Sequence, residues 1–320
     1  MKALDSAATG TSIVLLTLRQ YDENIIQRKL AELGELISEK IKFQIALDIR
    51  SNDSFNSGQK VIRLIEGTEI SIVKGTHPGK SNAQRTASES NQDIRNYLLI
   101  DSECKILCPD WSEFAKIIST TSSAVIGFPV SFPGRTGRSS FYFIMENWLR
   151  SVESKWNCMF TTSGQLMLVS ESILKKLPDD VGDDCFCGLY AQLLGYKCQY
   201  SSLAKGLDKS YKKNIDIFWA RRRMAIRNLP YTLFVFLQLV PKRPRLALLI
   251  FLHKLLRWLL PMIAIATAAT ISILHPVAFP CIMSMLLVSL LLLRNLIYGS
   301  IGITLGVLES ILLNKRISYY

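Results

Sequence analysis

A chain of 320 residues and 36.1 kDa, 49% apolar and 20% charged with a mean hydropathy of +0.21, is neither disordered nor collagen-like. It is greasier than an ordinary soluble enzyme of this size and too charged for a channel bundle. The formal net charge of +12 leaves nucleic acid, anionic lipid and anionic substrates open until the charges are located.

The first hundred residues alternate between two periodicities. Ser12 to Leu18 reads as a strand, and Asn24 to Lys40 as a helix, with Ile25, Ile26, Leu30, Leu33, Leu36 and Ile37 at helical spacing. Phe43 to Leu47 is a second strand ending in Asp48, Gln59 to Ile65 a second helix and Glu69 to Val73 a third strand. Ser81 to Glu89 reads as a third helix, and Tyr97 to Ile100 as a fourth strand stopping at Asp101. Such alternation predicts an α/β fold around a mostly parallel sheet, whose ligands bind where the strands end. Asp48 and Asp101 are both expected there; taken singly, each also reads as a turn or capping acid.

Beyond Pro230 the chain changes character. Thirteen Lys and Arg between 205 and 257, against Asp208 and Asp216, supply +11 of the net charge just before the most apolar sequence. That is where the positive-inside rule puts cytoplasmic charge, so a membrane surface is expected and nucleic acid is not. The predicted organisation is a cytosolic domain over 1–228, juxtamembrane amphipathic helices over 229–257, with His253, Lys254 and Arg257 on one side, and a membrane region over 258–320. Two crossings, about 258–274 and 277–293, form a hairpin in this reading; 296–313 is a third helix at the interface or packed on the hairpin, a third crossing being the alternative. Buried core helices of a large soluble domain are the other reading of the same stretch. Seven cysteines without paired spacing imply a reduced compartment, and residues 1–10 lack the apolar core of a secretory signal.

The chemistry concentrates in a few acidic and glycine-bearing segments. In YLLIDSECKILCPDW, Asp101 and Glu103 flank one residue, so two hard oxygen donors can face one cavity and hold a divalent cation. Gly79-Lys80-Ser81-Asn82-Ala83 opens a small-residue helix. Cys158 to Leu177 carries Gly164, and Asp183-Asp184 precede a helix ending in Gly195-Tyr196. Acids at such a place also read as helix-terminal charges. The aromatic set Phe141, Tyr142, Phe143, Trp148 and Trp156 reads as core.

In this order the segments resemble inverting family 2 glycosyltransferases of the GT-A fold, over about Ser12 to Arg227. The resemblance implies a nucleotide-sugar pocket that includes Thr17 after the first strand, Asp48 on the nucleobase, Lys80, Asp101, Gly164 and Arg222. It implies Mg²⁺ or Mn²⁺ on Asp101 and Glu103, Asp184 as general base with Asp183 beside it, and Arg223 on the departing diphosphate. Glu103 stands where the family usually has Asp, while Ala220 and Met224 depart from its Gln/Arg-x-x-Arg-Trp motif. The implied activity is transfer of a sugar, a UDP-sugar in this reading, to a lipid-linked or membrane-held acceptor at the cytoplasmic face of the cell membrane. The alternative is an inactive membrane scaffold or partner subunit that keeps the fold.

Overall fold

Apolar β-branched runs buried on both faces need helices above and below them, and the chain supplies both. The computed structural model describes residues 11–38, 41–48, 56–65, 67–131, 138–208, 214–274 and 294–312. It divides into two compact units, Met1–Ser210 and Tyr211–Tyr320.

In the first unit β1 (Thr11–Leu18) leads into α1 (Glu23–Glu32), capped by the Asp22 carboxylate, which accepts from Asn24 and Ile25 N–H at 2.9 and 3.2 Å. The single helix expected over Asn24 to Lys40 is broken before Gly34, where α2 (Gly34–Ser38) begins. There follow β2 (Lys42–Leu47), β3 (Lys60–Ile65), β4 (Thr68–Lys74), α3 (Lys80–Glu89), β5 (Ile94–Asp101), β6 (Lys105–Leu107) and α4 (Trp111–Thr120). The unit continues through β7 (Val125–Gly127), β8 (Val130–Ser131), α5 (Arg138–Lys155), β9 (Leu166–Ser170), α6 (Glu171–Leu174), α7 (Asp183–Leu193), β10 (Cys198–Tyr200) and β11 (Lys205–Leu207).

Eight strands form one sheet in the order β10-β7-β9-β5-β1-β2-β4-β3, and β6, β11 and β8 form a smaller one. Strands β5, β1, β2 and β4 run parallel, so the sheet is parallel through its centre as expected, with antiparallel pairs at β3 and around β9. The helix expected over Gln59 to Ile65 is instead strand β3. Its exposure alternates, Val61, Ile62 and Ile65 are β-branched, and Ile65 pairs with Thr68 across a two-residue turn holding Gly67 at φ +76°. Register sets the functional edge: Thr17 lies opposite Asp101 and Ala46, and Leu18 opposite Leu47, so Asp48 and Asp101 leave the sheet at the same end.

The second unit is helical: α8 (Asn214–Leu239), α9 (Pro244–Ile250), one π-helical turn (Phe251–Leu255), α10 (Leu256–Leu274) and α11 (Arg294–Leu312). Helix α8 runs through Pro230 and lies whole within the second compact unit. At the π turn Lys254 is buried over the Trp258 ring, 5.6 Å from its centroid, while His253 and Arg257 are half-buried, so the three do not share one side as expected. Among the described residues no helix is long and apolar enough to cross a membrane. The expected first crossing, 258–274, lies within α10. The second, 277–293, lies outside the described residues.

The third helix, expected over 296–313, is α11, and it packs along α8. A Cβ on Gly302 would come 2.5 Å from the Phe218 carbonyl oxygen, and one on Gly306 would come 2.6 Å from that of Arg222. Glu309 pairs with Arg222 along the same contact. Gly302→Val should therefore overpack the pair and cost about 2 kcal/mol, read as a lowered melting temperature of the purified chain, while Ile301→Val, at an exposed position, should leave it unchanged.

Candidate active site

The pocket begins where α3 starts. Gly79 sits at φ +133°, ψ 147°, a conformation open only to glycine, and its N–H donates to Asp48 Oδ1 at 3.3 Å. This ties the end of β2 to the α3 N-terminus, from which Lys80 reaches the end of β5. Lys80 Nζ lies 2.7 Å from Asp101 Oδ1 and 2.8 Å from Asp183 Oδ2, and donates to the Gly164 carbonyl at 2.8 Å. One turn on, Gln84 Nε2 donates to Thr17 Oγ1 at 3.1 Å and to Asp183 Oδ2 at 3.2 Å. Lys80 thus joins Asp101, Gly164 and Asp183 directly, while Thr17 is linked to them through Gln84 and Asp48 through the Gly79 N–H.

Glycine at 164 is a matter of space. A Cβ there would sit 3.2 Å from Asp183 Oδ1, 3.4 Å from Asp184 Cβ and 3.6 Å from Lys80 Nζ. Asp183 and Asp184 form the first turn of α7, where exposed N–H groups favour acids. Asp183 is buried. Asp184 is half-buried, and its backbone carbonyl accepts from Thr162 Oγ1 at 3.2 Å.

Gln84 is absent from the sequence reading, and Ser81 and Asn82 enter it only as members of the Gly79-Lys80-Ser81-Asn82-Ala83 run, with no partners assigned. Ser81 Oγ donates to the Val181 carbonyl at 2.7 Å, while the Asn82 amide bonds Asp179 at 3.0 Å and accepts from His77 N–H at 2.8 Å. The available signal was polar residues at i, i+4 in a helix of small residues: Lys80, Gln84 and Ser88 share one face. Arg222 and Arg223 belong to the second unit, where Arg222 pairs with Glu309 and lies over the Trp219 ring, 5.2 Å from its centroid. Trp148 and Trp156 are 62% and 65% exposed, so the aromatic set is not core at these positions. The six described cysteines are unbridged; Cys281 lies outside the described residues.

Burial alone would lower the Lys80 pKa, but Asp101 and Asp183 outweigh it and push the ammonium well above its usual value. Burial raises the Asp101 carboxyl, Lys80 pulling against it and Asp183 adding to it. Burial works the same way on Asp183, yet Lys80, Gln84 and the Asp184 N–H more than offset it and hold that carboxyl below the usual range. Around Lys80 two carboxylates face one ammonium, so an incoming diphosphate meets surplus negative charge unless a cation accompanies it.

Asp101, half-buried, and Glu103, exposed, are the oxygen donors for such a cation. Among the described residues no group of three or more His, Cys, Asp or Glu could hold a metal ion by itself. Two carboxylates suit Mg²⁺ or Mn²⁺ that takes its other ligands from a nucleotide's phosphates, and do not make a free-standing protein cage.

No protein-family model and no curated protein sequence matches the chain. Among solved structures it is similar to the mannosyltransferase PcManGT from Pyrobaculum calidifontis, solved with GDP-Man and Mn²⁺, at 17% identity and a TM-score of 0.65, over 98% of this chain and 90% of that one. It also matches Staphylococcus aureus TarS 1–349 with UDP-GlcNAc (12%, TM-score 0.42, 68% and 66% of the two chains). A further match is GalNAc-T7 with UDP, GalNAc and Mn²⁺ (10%, TM-score 0.44, 64% and 44%). The likeness to PcManGT shows the fold: an α/β domain with the GT-A type of sheet.

The opposite shifts of the two carboxyls have opposite consequences. Asp183, held low, contributes stability above the usual carboxylate range and loses it as pH falls through its native value; Asp101, held high, is less favourable when ionised. Asp183→Asn should cost about 3 kcal/mol, on the order of 8 °C at pH 7, with the gap to wild type narrowing below pH 4. Asp101→Asn should leave the midpoint unchanged or raise it. Thermal scans across pH check both; a larger loss for Asp101→Asn would contradict the assignment.

Proposed function

We propose that this protein transfers a sugar, with inversion, from a nucleotide diphosphate sugar to an acceptor held at a membrane, in polysaccharide or glycolipid synthesis. The observation that carries the reading is the convergence of Thr17, Asp48, Lys80, Asp101, Gly164 and Asp183 at the carboxyl ends of β1, β2 and β5. The GDP-Man and Mn²⁺ of PcManGT, and the resemblance to family 2 enzymes, make a nucleotide sugar the natural ligand of such a pocket; our reading is a UDP-sugar. The membrane part is supported by exposed Leu237, Leu248, Leu252, Ile273 and Leu274 in a unit that also carries Lys242, Arg243 and Arg245. The catalytic domain is then on the cytoplasmic side.

In a single displacement the acceptor hydroxyl oxygen bonds to the anomeric carbon as the bond from that carbon to the diphosphate oxygen breaks. The hydroxyl proton goes to the Asp184 carboxylate, and the nucleoside diphosphate leaves with the bonding electron pair. Asp183, kept ionised by Lys80 and Gln84, raises the basicity of its neighbour by like charge and fixes the α7 N-terminus. Lys80 holds Asp101 and the Gly164 strand entry in register. A bound Mg²⁺ or Mn²⁺ on Asp101 and Glu103 would neutralise charge on the diphosphate. For Arg223 the role at the departing diphosphate rests on the resemblance alone.

The second reading, an inactive scaffold, is favoured by the engagement of Arg222 with Glu309 and Trp219 and by Ala220 and Met224 in the arginine motif. Radiolabelled UDP- and GDP-sugars, incubated with the purified full chain, Mn²⁺ and membrane extract, separate the two: product or slow donor hydrolysis supports the enzyme, neither supports the scaffold. Asp184→Asn should lower transfer by about 10³-fold while UDP affinity by calorimetry stays within about threefold. Equal turnover removes the base. Asp101→Ala should weaken Mn²⁺-dependent UDP binding about tenfold or more, and unchanged affinity contradicts its role.

A further inference from the structure

Helix α5 is inside out. On its inner side Glu146 and Glu153 are buried, Arg150 lies 3.7 Å from Glu146, Asn147 donates to the Val130 carbonyl at 3.3 Å, and Ser154 Oγ accepts from Tyr200 N–H at 2.9 Å. On its outer side Ile144, Met145 and Trp148 are 62%, 47% and 62% exposed, and Trp156 follows the last turn at 65%. At about 100° per residue Ile144, Met145, Trp148 and Lys155 fall within a single arc of roughly 100°. A helix that turns its acids inward and its tryptophans outward reverses the pattern of a water-facing helix.

We propose that this outer face of α5 docks in the interfacial layer of a lipid bilayer. The chemistry of the face selects that occupant. Both acids of the helix are turned inward, and among the described side chains its outer charge is the exposed Lys155, which complements anionic headgroups. Trp148 and Trp156, two turns apart, have the amphipathic rings that settle at headgroup depth, with Ile144 and Met145 as the apolar insert. The inference rests on the membrane-held acceptor of the proposed function and does not depend on sugar transfer.

The test uses the full chain in phosphatidylcholine–phosphatidylglycerol vesicles with bromine placed at shallow or deep acyl positions. The emission lost in Trp148→Phe/Trp156→Phe isolates these two rings. That share should fall at least twofold with shallow bromines and shift to shorter wavelength. No quenching of it, while the remaining tryptophans are quenched or the chain fails to bind vesicles, overturns the proposal. Ile144→Glu/Trp148→Glu, at exposed positions that leave the melting temperature unchanged, should weaken partitioning into phosphatidylglycerol vesicles at least about fivefold. Unchanged partitioning, or conversion of a dimer to a monomer with quenching intact, also overturns it. UDP and GDP binding by calorimetry is scored separately, so a chain that docks without binding nucleotide refutes the sugar-transfer reading and leaves the docking standing.

Discussion

The ammonium of Lys80 is the tie on which the candidate site depends. It reaches from α3 to Asp101 at the end of β5, to Asp183 at the head of α7 and to the Gly164 carbonyl before β9. Without it, two carboxylates brought together by the fold would repel one another in a partly dehydrated pocket, where such repulsion is strongest. The arrangement stabilises Asp183 in its charged form and leaves Asp101 the more easily protonated of the pair. That asymmetry agrees with the roles proposed for the pair, Asp183 structural and electrostatic and Asp101 a ligand for a cation.

A second tie supports the first from the far side. Lys29, only 2% exposed, pairs with Glu32 at 2.8 Å and donates to the Cys104 carbonyl, while Glu32 accepts from the Ile106 N–H. Helix α1 thereby clamps the turn that carries Asp101, Ser102 and Glu103. On α7, Gly188 is pressed against the Phe160 backbone, and Gln192 donates to the Met159 carbonyl at 2.8 Å, which fixes the segment leading to Gly164. Buried charges of this kind cost desolvation and are tolerated when every member is engaged. Here that cost maintains the loops at the strand ends.

The two units differ in how they bury apolar surface. The first has a continuous apolar core beneath its sheet, from Val14 and Leu16 to Phe114 and Phe128. The second has a small core around Ala225, Leu229, Leu255, Trp258 and Val307 and leaves large aliphatic side chains outside. Glycines 302 and 306 let α11 approach α8 backbone to backbone, a contact governed by van der Waals fit and therefore available in water or lipid. The outward tryptophans of α5 carry the same tendency into the first unit.

Much of this was legible before any coordinates. Hydrophobic period identifies β1, β2, β4, β5 and α3, because each is a local property of a few consecutive residues, and strand-terminal Asp48 and Asp101 follow from it. The period misled at Lys60–Ile65, where an edge strand beside a two-residue turn is chosen by pairing with β4 and not by its own pattern. The expected grouping of Lys254 with His253 and Arg257 fails for a related reason: a π turn depends on what packs beside it. What the tertiary structure alone decided is which distant groups share an atom. Lys80 between Asp101 and Asp183, Gln84 between Thr17 and Asp183, and the reversal of α5 are set by sheet order and register, which bring together residues from 21 to 103 positions apart and leave no trace in local spacing.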